Sequence, residues 1–273
     1  MRKISFLMLA SVAMLFASCE KDSESTDPLV TTIQEDDLAT NYNDEVENEA
    51  DELSVDQPAR AMAANAMLGT TEIGRTVVKV VNNDGSITKT VTYTNWTNPN
   101  GNQNIVKNGK IVITIVGTPS AEAYTRTITF DNFTINGAKI EGTRVITKTA
   151  QYQFTATCDN GKITFADGKT YTRSYTRTRT WVDGYATPLN VWDDIFEITG
   201  TATGINRSGN TYTHTIVNPL RIVRTCKYIV SGTITVVVND KTLSLDYGVG
   251  TCDNLATITY NGKSTEIKLR GGK

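Results

Sequence analysis

Histidine occurs once among these 273 residues, at position 214. That scarcity excludes sites built on paired histidines and forces any Ser-His-Asp or Cys-His mechanism through a single residue. No Gly-x-Ser-x-Gly elbow accompanies it. His214 alternates with Tyr212 and Ile216, opposite Thr211, Thr213 and Thr215, and reads as a strand-face residue. Cysteine is also scarce, with four residues and no Cys-x-x-Cys pair. The C-terminal two hundred residues have no apolar stripe at helical spacing, which removes the helix that a His-Glu zinc motif or a phosphate-cradling glycine loop would need. No metal and no cofactor are expected.

Threonine is abundant instead, at 44 residues, and it alternates with larger side chains. Tyr124 to Phe130 alternates strictly, and Thr170 to Thr180 does so for a longer run. Period two, carried by a β-branched residue, predicts strands. Asn82-Asn83-Asp84-Gly85, Asn136-Gly137, Asp159-Asn160-Gly161, Asp167-Gly168 and Asn261-Gly262 supply the positive φ values of tight hairpins. The expected fold is all-β, with about a dozen mostly antiparallel strands in a large twisted, partly curled meander sheet. A β-sandwich or irregular barrel is the alternative. Strands such as 170–180 have no purely apolar face, so some are expected to be wet on both sides.

The N-terminus carries an address. Met1-Arg2-Lys3 is basic, Ile4 to Phe16 is apolar but too short to span a bilayer, and Ala17-Ser18 are small. Phe16-Ala17-Ser18-Cys19 resembles the lipobox of bacterial lipoproteins, with Phe16 where that family usually has Leu. The resemblance implies removal of residues 1–18 and acylation of Cys19. Glu20-Lys21-Asp22-Ser23-Glu24 then resembles the export signal of surface lipoproteins in Bacteroidetes-type bacteria. The implied location is the outer membrane, lipid-anchored at the cell surface, with the periplasmic face as alternative.

Residues 20–60 hold 14 acidic side chains against Lys21 and Arg60. Residues 19–68 therefore read as an acidic disordered tether, with a possible short helix after Pro58. Residues 69–273 form a single all-β domain with 23 Lys and Arg against 15 Asp and Glu. A basic body of this kind favours anionic polymers or membrane surfaces.

Within that body, Gly142-Thr143-Arg144, Arg177 to Trp181, Trp192-Asp193-Asp194, Ile198 to Arg207 and Leu245 to Asp253 are similar to Thr-rich lipoproteins of Bacteroidetes-type bacteria, a family of unassigned function. The resemblance spans about residues 75–270 and carries no catalytic residue.

Three features are candidates for chemistry. Tyr171, Arg173, Tyr175, Arg177, Arg179 and Trp181 share one strand face at about 7 Å spacing, a row suited to stacking on sugars and pairing with anions. Such a face can equally be structural, with Arg stems covering the sheet. Asp193, Asp194 and Glu197 form a carboxylate cluster that could serve glycan hydrolysis or hold Ca²⁺. It reads instead as a loop-to-strand junction with Trp192 packed and the acids in water. A hairpin turning at Asn239-Asp240 pairs residues summing to 478 or 479, which brings Cys226 and Cys252 together as a disulfide and leaves Cys158 free. The expected function is a non-catalytic, lipid-anchored envelope protein recognising a glycan or anionic polymer, with no nucleic-acid partner. A structural or adhesion protein contacting other proteins is the alternative, and a glycan hydrolase comes third.

Overall fold

A computed structural model describes residues 28–54, 73–97, 105–118, 120–187 and 190–269. The signal segment, Cys19 and the Ala/Met-rich stretch after Pro58 lie outside them. Helix α1 (Pro28–Ser54) comes first. Strands follow as β1 (Arg75–Val81), β2 (Ile87–Thr97), β3 (Val106–Val116), β4 (Thr125–Ile135), β5 (Ala138–Ala150), β6 (Gln153–Thr164) and β7 (Thr170–Asp183). After a 3-10 turn at Val191–Asp193 come β8 (Ile195–Ile205), β9 (Thr211–Val223), β10 (Ser231–Val238), β11 (Lys241–Val249), β12 (Leu255–Tyr260) and β13 (Lys263–Lys268).

All thirteen strands form one sheet in sequence order, β1 to β13, and it does not close into a barrel. Every neighbouring pair is antiparallel. This is the curled meander that the alternation and turn chemistry predict.

The alternation sorts side chains between two faces. Inward go Val91 and Tyr93, Ile111 and Ile113, Ile128, Ile140, Ile234 and Val236, all buried. Outward go the threonines, which meet across strands as Thr88–Thr114, Thr114–Thr127, Thr125–Thr147, Thr155–Thr178, Thr178–Thr199 and Thr215–Thr235. Cross-strand pairs of this type support a sheet locally, and Thr covers a solvated face without large apolar area.

Curvature comes from register shifts, which interrupt every pairing from β2–β3 through β10–β11. Extra residues of this kind bend a strand and increase its twist. Two glycines show why the bends need that residue. A Cβ on Gly109 (φ +85°) would lie 2.2 Å from the Asn132 carbonyl oxygen, and one on Gly200 (φ +141°) 2.3 Å from that of Thr176. Asp159-Asn160-Gly161, expected as a hairpin turn, is instead such an irregularity within β6, with Asn160 at φ +55°. The chemistry of positive φ is the same in both settings, so the tripeptide alone does not separate them. The other turns form where expected.

The largest correction concerns the acidic segment. Residues 28–54 are helix rather than disordered tether, and the helix lies in the concavity of the sheet. Ile33, Val46, Ala39 and Ala50 are fully buried in the common core, and Tyr42 is nearly so. Ala39, Tyr42, Val46, Ala50 and Leu53 follow at steps of three, four, four and three, one stripe of a helix. Pro28 opens it at a position where its missing N–H is no loss.

Cys226 and Cys252 are joined with Cα atoms 5.6 Å apart, and Cys158 is a buried free thiol. The hairpin register sums to 479 beside the Asn239-Asp240 turn and shifts near Ser231, where Ser231 faces Val249. The two cysteines therefore meet from the connections after β9 and after β11, beyond the paired residues. The bridge spans 26 residues of chain, and closing a loop of that size in the unfolded state contributes about 3.5 kcal/mol. We predict that Cys226→Ala lowers unfolding free energy in urea by about that amount, and that peptide maps of the oxidised protein link 226 to 252. A map linking Cys158 to either residue in good yield would disprove the pairing.

Candidate functional site

Strand β7 brings the arginine-aromatic row to the concave face, because residues 171, 173, 175, 177, 179 and 181 alternate with outward Thr and Ser. Tyr171, Arg173 and Tyr175 are buried, and Arg177, Arg179 and Trp181 are half-buried. The row does not face solvent. It faces α1, whose nine Asp and Glu residues are accompanied by no Lys or Arg.

The pairing follows both elements in step. Arg173 Nη1 donates to Asp36 Oδ1 at 2.7 Å. Arg177 spans Asp44 and Glu47 with both contacts at 2.7 Å. Arg179 Nη1 donates to Asp51 Oδ2 at 2.7 Å. Asp36 to Asp44 is about 12 Å along a helix, and Arg173 to Arg177 is about 13 Å along a strand, so α1 runs beside β7 in the same direction. Tyr171 and Tyr175 complete the row by donating to Asp36 at 2.9 Å and Glu47 at 2.7 Å.

The other strands hold the rest of the helix. Lys107 on β3 pairs with Glu45 at 2.7 Å and Glu49 at 3.1 Å, and Arg75 on β1 meets Glu49 at 2.5 Å. Arg126 on β4 pairs with Asp51, and Lys89 on β2 donates to the Leu53 carbonyl. Arg144 on β5 donates twice to Asn43 Oδ1, at 2.7 and 3.1 Å. Aromatic rings back several cations, with Lys107 5.1 Å from the Trp96 ring centre and Arg179 3.7 Å from that of Phe196. Trp181 ends the row in an aromatic cluster with Tyr152, Tyr185 and Phe196.

His214 belongs to the same arrangement. Its Nδ1 lies 2.7 Å from Asp36 Oδ2 and 3.1 Å from Arg173 Nη2. An Asp-His pair is a component of nucleophilic catalysis, but here it is sealed beneath the helix. The neighbouring cavity, lined by Thr40, Asn43, Asp44 and Arg173 among others, measures about 20 Å³, room for water and for no organic ligand.

Burial works to raise the Asp36 carboxyl, but Arg173 and His214 beside it outweigh that and hold it far below the usual carboxylate range. Burial likewise raises Glu49, and Lys107 and Arg75 overcome it to bring the group to about 2. Both carboxylates are thus fixed as anions by the sheet.

Asp193, Asp194 and Glu197 do not converge. Asp193 Oδ2 accepts from the Thr187 hydroxyl at 2.6 Å, and Glu197 pairs with Arg221 at 3.1 Å. Asp194 is buried and Trp192 is 61% exposed, the reverse of the expected packing. The cause is the 3-10 turn at Val191–Asp193, which faces Trp192 outward and carries Asp194 under the Gly184 backbone. Among the described residues no group of three or more His, Cys, Asp or Glu could hold a metal ion, and no helix is long and apolar enough to cross a membrane.

Sequence reasoning located the row and its shared face but missed its partner, the acidic helix. The signal available was the three-four spacing of Ala39, Tyr42, Val46, Ala50 and Leu53 beneath the acidic composition. Comparison with protein families, with curated proteins and with solved structures finds no match to this chain.

Two predictions follow from the trough's electrostatics. Removing one partner of a buried ion pair costs about 3–5 kcal/mol because a charge is left uncompensated. Arg177→Gln strands both Asp44 and Glu47 and should lower unfolding free energy in urea by about 3 kcal/mol. A change under about 0.5 kcal/mol, the range of ordinary surface substitutions, would show the row to be incidental.

The second concerns pH. Asp36 and Glu49 have folded values below their ordinary 3.8 and 4.5. Their contribution is therefore complete above about pH 5 and is lost as pH falls toward 2. Urea midpoints should drop steeply below about pH 4. A midpoint unchanged down to about pH 2.5 would contradict this assignment.

Proposed function

We propose that this chain is a non-catalytic, lipid-anchored protein of the bacterial outer membrane, facing the cell surface, which acts as a structural or adhesion component by contacting other proteins. One observation carries the choice. The surface best suited to glycans or anionic polymers, the arginine-aromatic row, is taken up by the chain's own acidic helix. An external polyanion would have to displace carboxylates already paired at 2.7 Å together with the apolar stripe that fills the floor. A sugar chain supplies no equivalent of buried Ile33 and Val46. Occupation of that row by α1 is what supports protein contact over polymer binding in this reading.

Support for the anchor is the sequence from Met1 to Cys19. With the helix packed inside the domain, the connection from Cys19 to Pro28 can reach at most roughly 30 Å. The domain would stand close to the membrane. Support for a non-catalytic role is the scatter of the carboxylates and the enclosure of His214.

Cys19→Ser should release the protein from membranes on fractionation, and retention of the variant would refute lipid anchoring. The intact protein should also pass unretained over a sulfated polysaccharide matrix at physiological salt. Specific retention that exposes α1 to hydrogen exchange would return the anionic-polymer reading to first place.

A further inference from the structure

Tyr152, Tyr185 and Trp192 lie beyond the trough, at the C-terminal end of β7. Tyr152 and Tyr185 stack with ring centres 4.6 Å apart and planes 20° from parallel. Trp181, the last ring of the row, meets them edge-on at 5.9 and 6.4 Å. The two tyrosines are 36% and 43% exposed, and Trp192 faces outward from its 3-10 turn. Tyr152 is the second residue of the two-residue turn between β5 and β6, at φ +62°. A bulky side chain is strained there, and Gly or Asn makes such a turn at lower cost. Among the described residues, every other non-glycine residue at positive φ is Asn or Asp. The turn does not call for tyrosine, so the strain points to a use for the ring.

The β7–β8 loop fixes the other two rings. The Thr187 hydroxyl donates to Asp193 at 2.6 Å, and the Trp192 N–H donates to Asn190 Oδ1 at 3.2 Å. A Cβ on Gly184 would lie 2.8 Å from the Asp193 carbonyl oxygen, so the loop closes on itself between Tyr185 and Trp192. Charge selects the ligand. Residues 149–153 and 183–194 contain three aspartates and no Lys or Arg. Asp183, Asp193 and Gln151 are exposed. A surface of this sign does not attract anionic polymers. Its carboxylates accept hydrogen bonds, and its rings cover apolar C–H surface. A neutral sugar presents both partners at once, hydroxyl donors around its ring and C–H groups on its faces. A proline-rich peptide also stacks on rings, but it offers carbonyl acceptors with few N–H donors, which carboxylates do not satisfy.

We propose that Tyr152, Tyr185 and Trp192 form a stacking platform for neutral glycans, with Asp183 and Asp193 accepting from sugar hydroxyls. This goes beyond the protein-contact role and uses a surface separate from the trough. Because α1 runs in the direction of β7, the platform lies at the Ser54 end of the helix, about 40 Å along it from Pro28. If Cys19 is lipid-anchored, the platform faces away from the membrane. Binding itself does not depend on that anchor, because it is read in solution and anchoring by fractionation.

The test uses the full-length protein in detergent, passed at physiological salt over immobilised starch, xylan, mannan and galactomannan, with heparin as the anionic control. Retention is expected on at least one neutral polysaccharide and not on heparin. Titration with the soluble form of that polysaccharide should shift tryptophan emission, and Trp192→Ala should abolish the shift. Tyr152→Asn removes the ring but keeps a residue that accepts positive φ. Each variant should weaken binding about tenfold, the loss of one stacked ring, while cooperative urea unfolding shows that it is folded. Failure to bind any of the four neutral polysaccharides would overturn the proposal, as would retention on heparin alone. Wild-type affinity in both variants would overturn it too. An emission shift with a decaproline peptide, in a protein that no polysaccharide retains, would assign the rings to protein contact instead.

Discussion

The fold depends on charge neutralisation between one acidic helix and the concave face of one sheet. Neither half is satisfactory alone. Nine acidic residues on α1, with no cation among them, repel one another and weaken an isolated helix. Without the helix, the sheet would hold Arg75, Lys107, Arg126, Arg173 and Arg177 in a concavity with no counter-charge. Removing such groups from water is costly, and their mutual attraction offsets that cost only where geometry is good and remaining donors are met. The geometry here is supplied by the match between the rise of α1 and the spacing along β7. Ion pairing of this kind contributes position and direction more than net stability. Burial of Ile33, Val46 and the aliphatic inner face supplies the apolar drive.

That division of labour explains why β7 has no purely apolar face although its inner side is buried rather than wet on both sides as expected. Inner positions must supply both apolar floor and counter-charge, so β7 alternates Tyr with Arg instead of repeating Val or Ile. Outer positions cover a broad convex surface, and threonine does so with β-branched side chains that pair across strands. The absence of a purely apolar face on β7 reflects ion pairing inward and a threonine surface outward. A sandwich would need two sheets. Here the helix takes the place of the second layer.

The same arrangement limits function. A guanidinium already held by a carboxylate at 2.7 Å is not available for a sulfate or phosphate. Among the described residues, the outer surface and the ends of the sheet are the parts that α1 does not cover. The proposed role of this protein, contact with other proteins, lies there.

Sequence by itself determined the strands, most of the turns, the antiparallel meander and the shared strand face of Tyr171 to Trp181; that the sheet stays open and that this face turns inward came from the structure. Period two and positive-φ turn residues are local, and local chemistry is legible in a single chain. It also marked Cys226 and Cys252 as partners, although the shift near Ser231 moved their meeting point from strand to connection. Only the tertiary structure decided the fate of residues 28–54. Their composition is that of a solvated tether, and an isolated segment so acidic would behave as one. What converts it to a buried helix is a set of cations contributed by β1, β3, β4 and β7, drawn together from across the chain. No local pattern encodes that set, because it exists only once the sheet has curled.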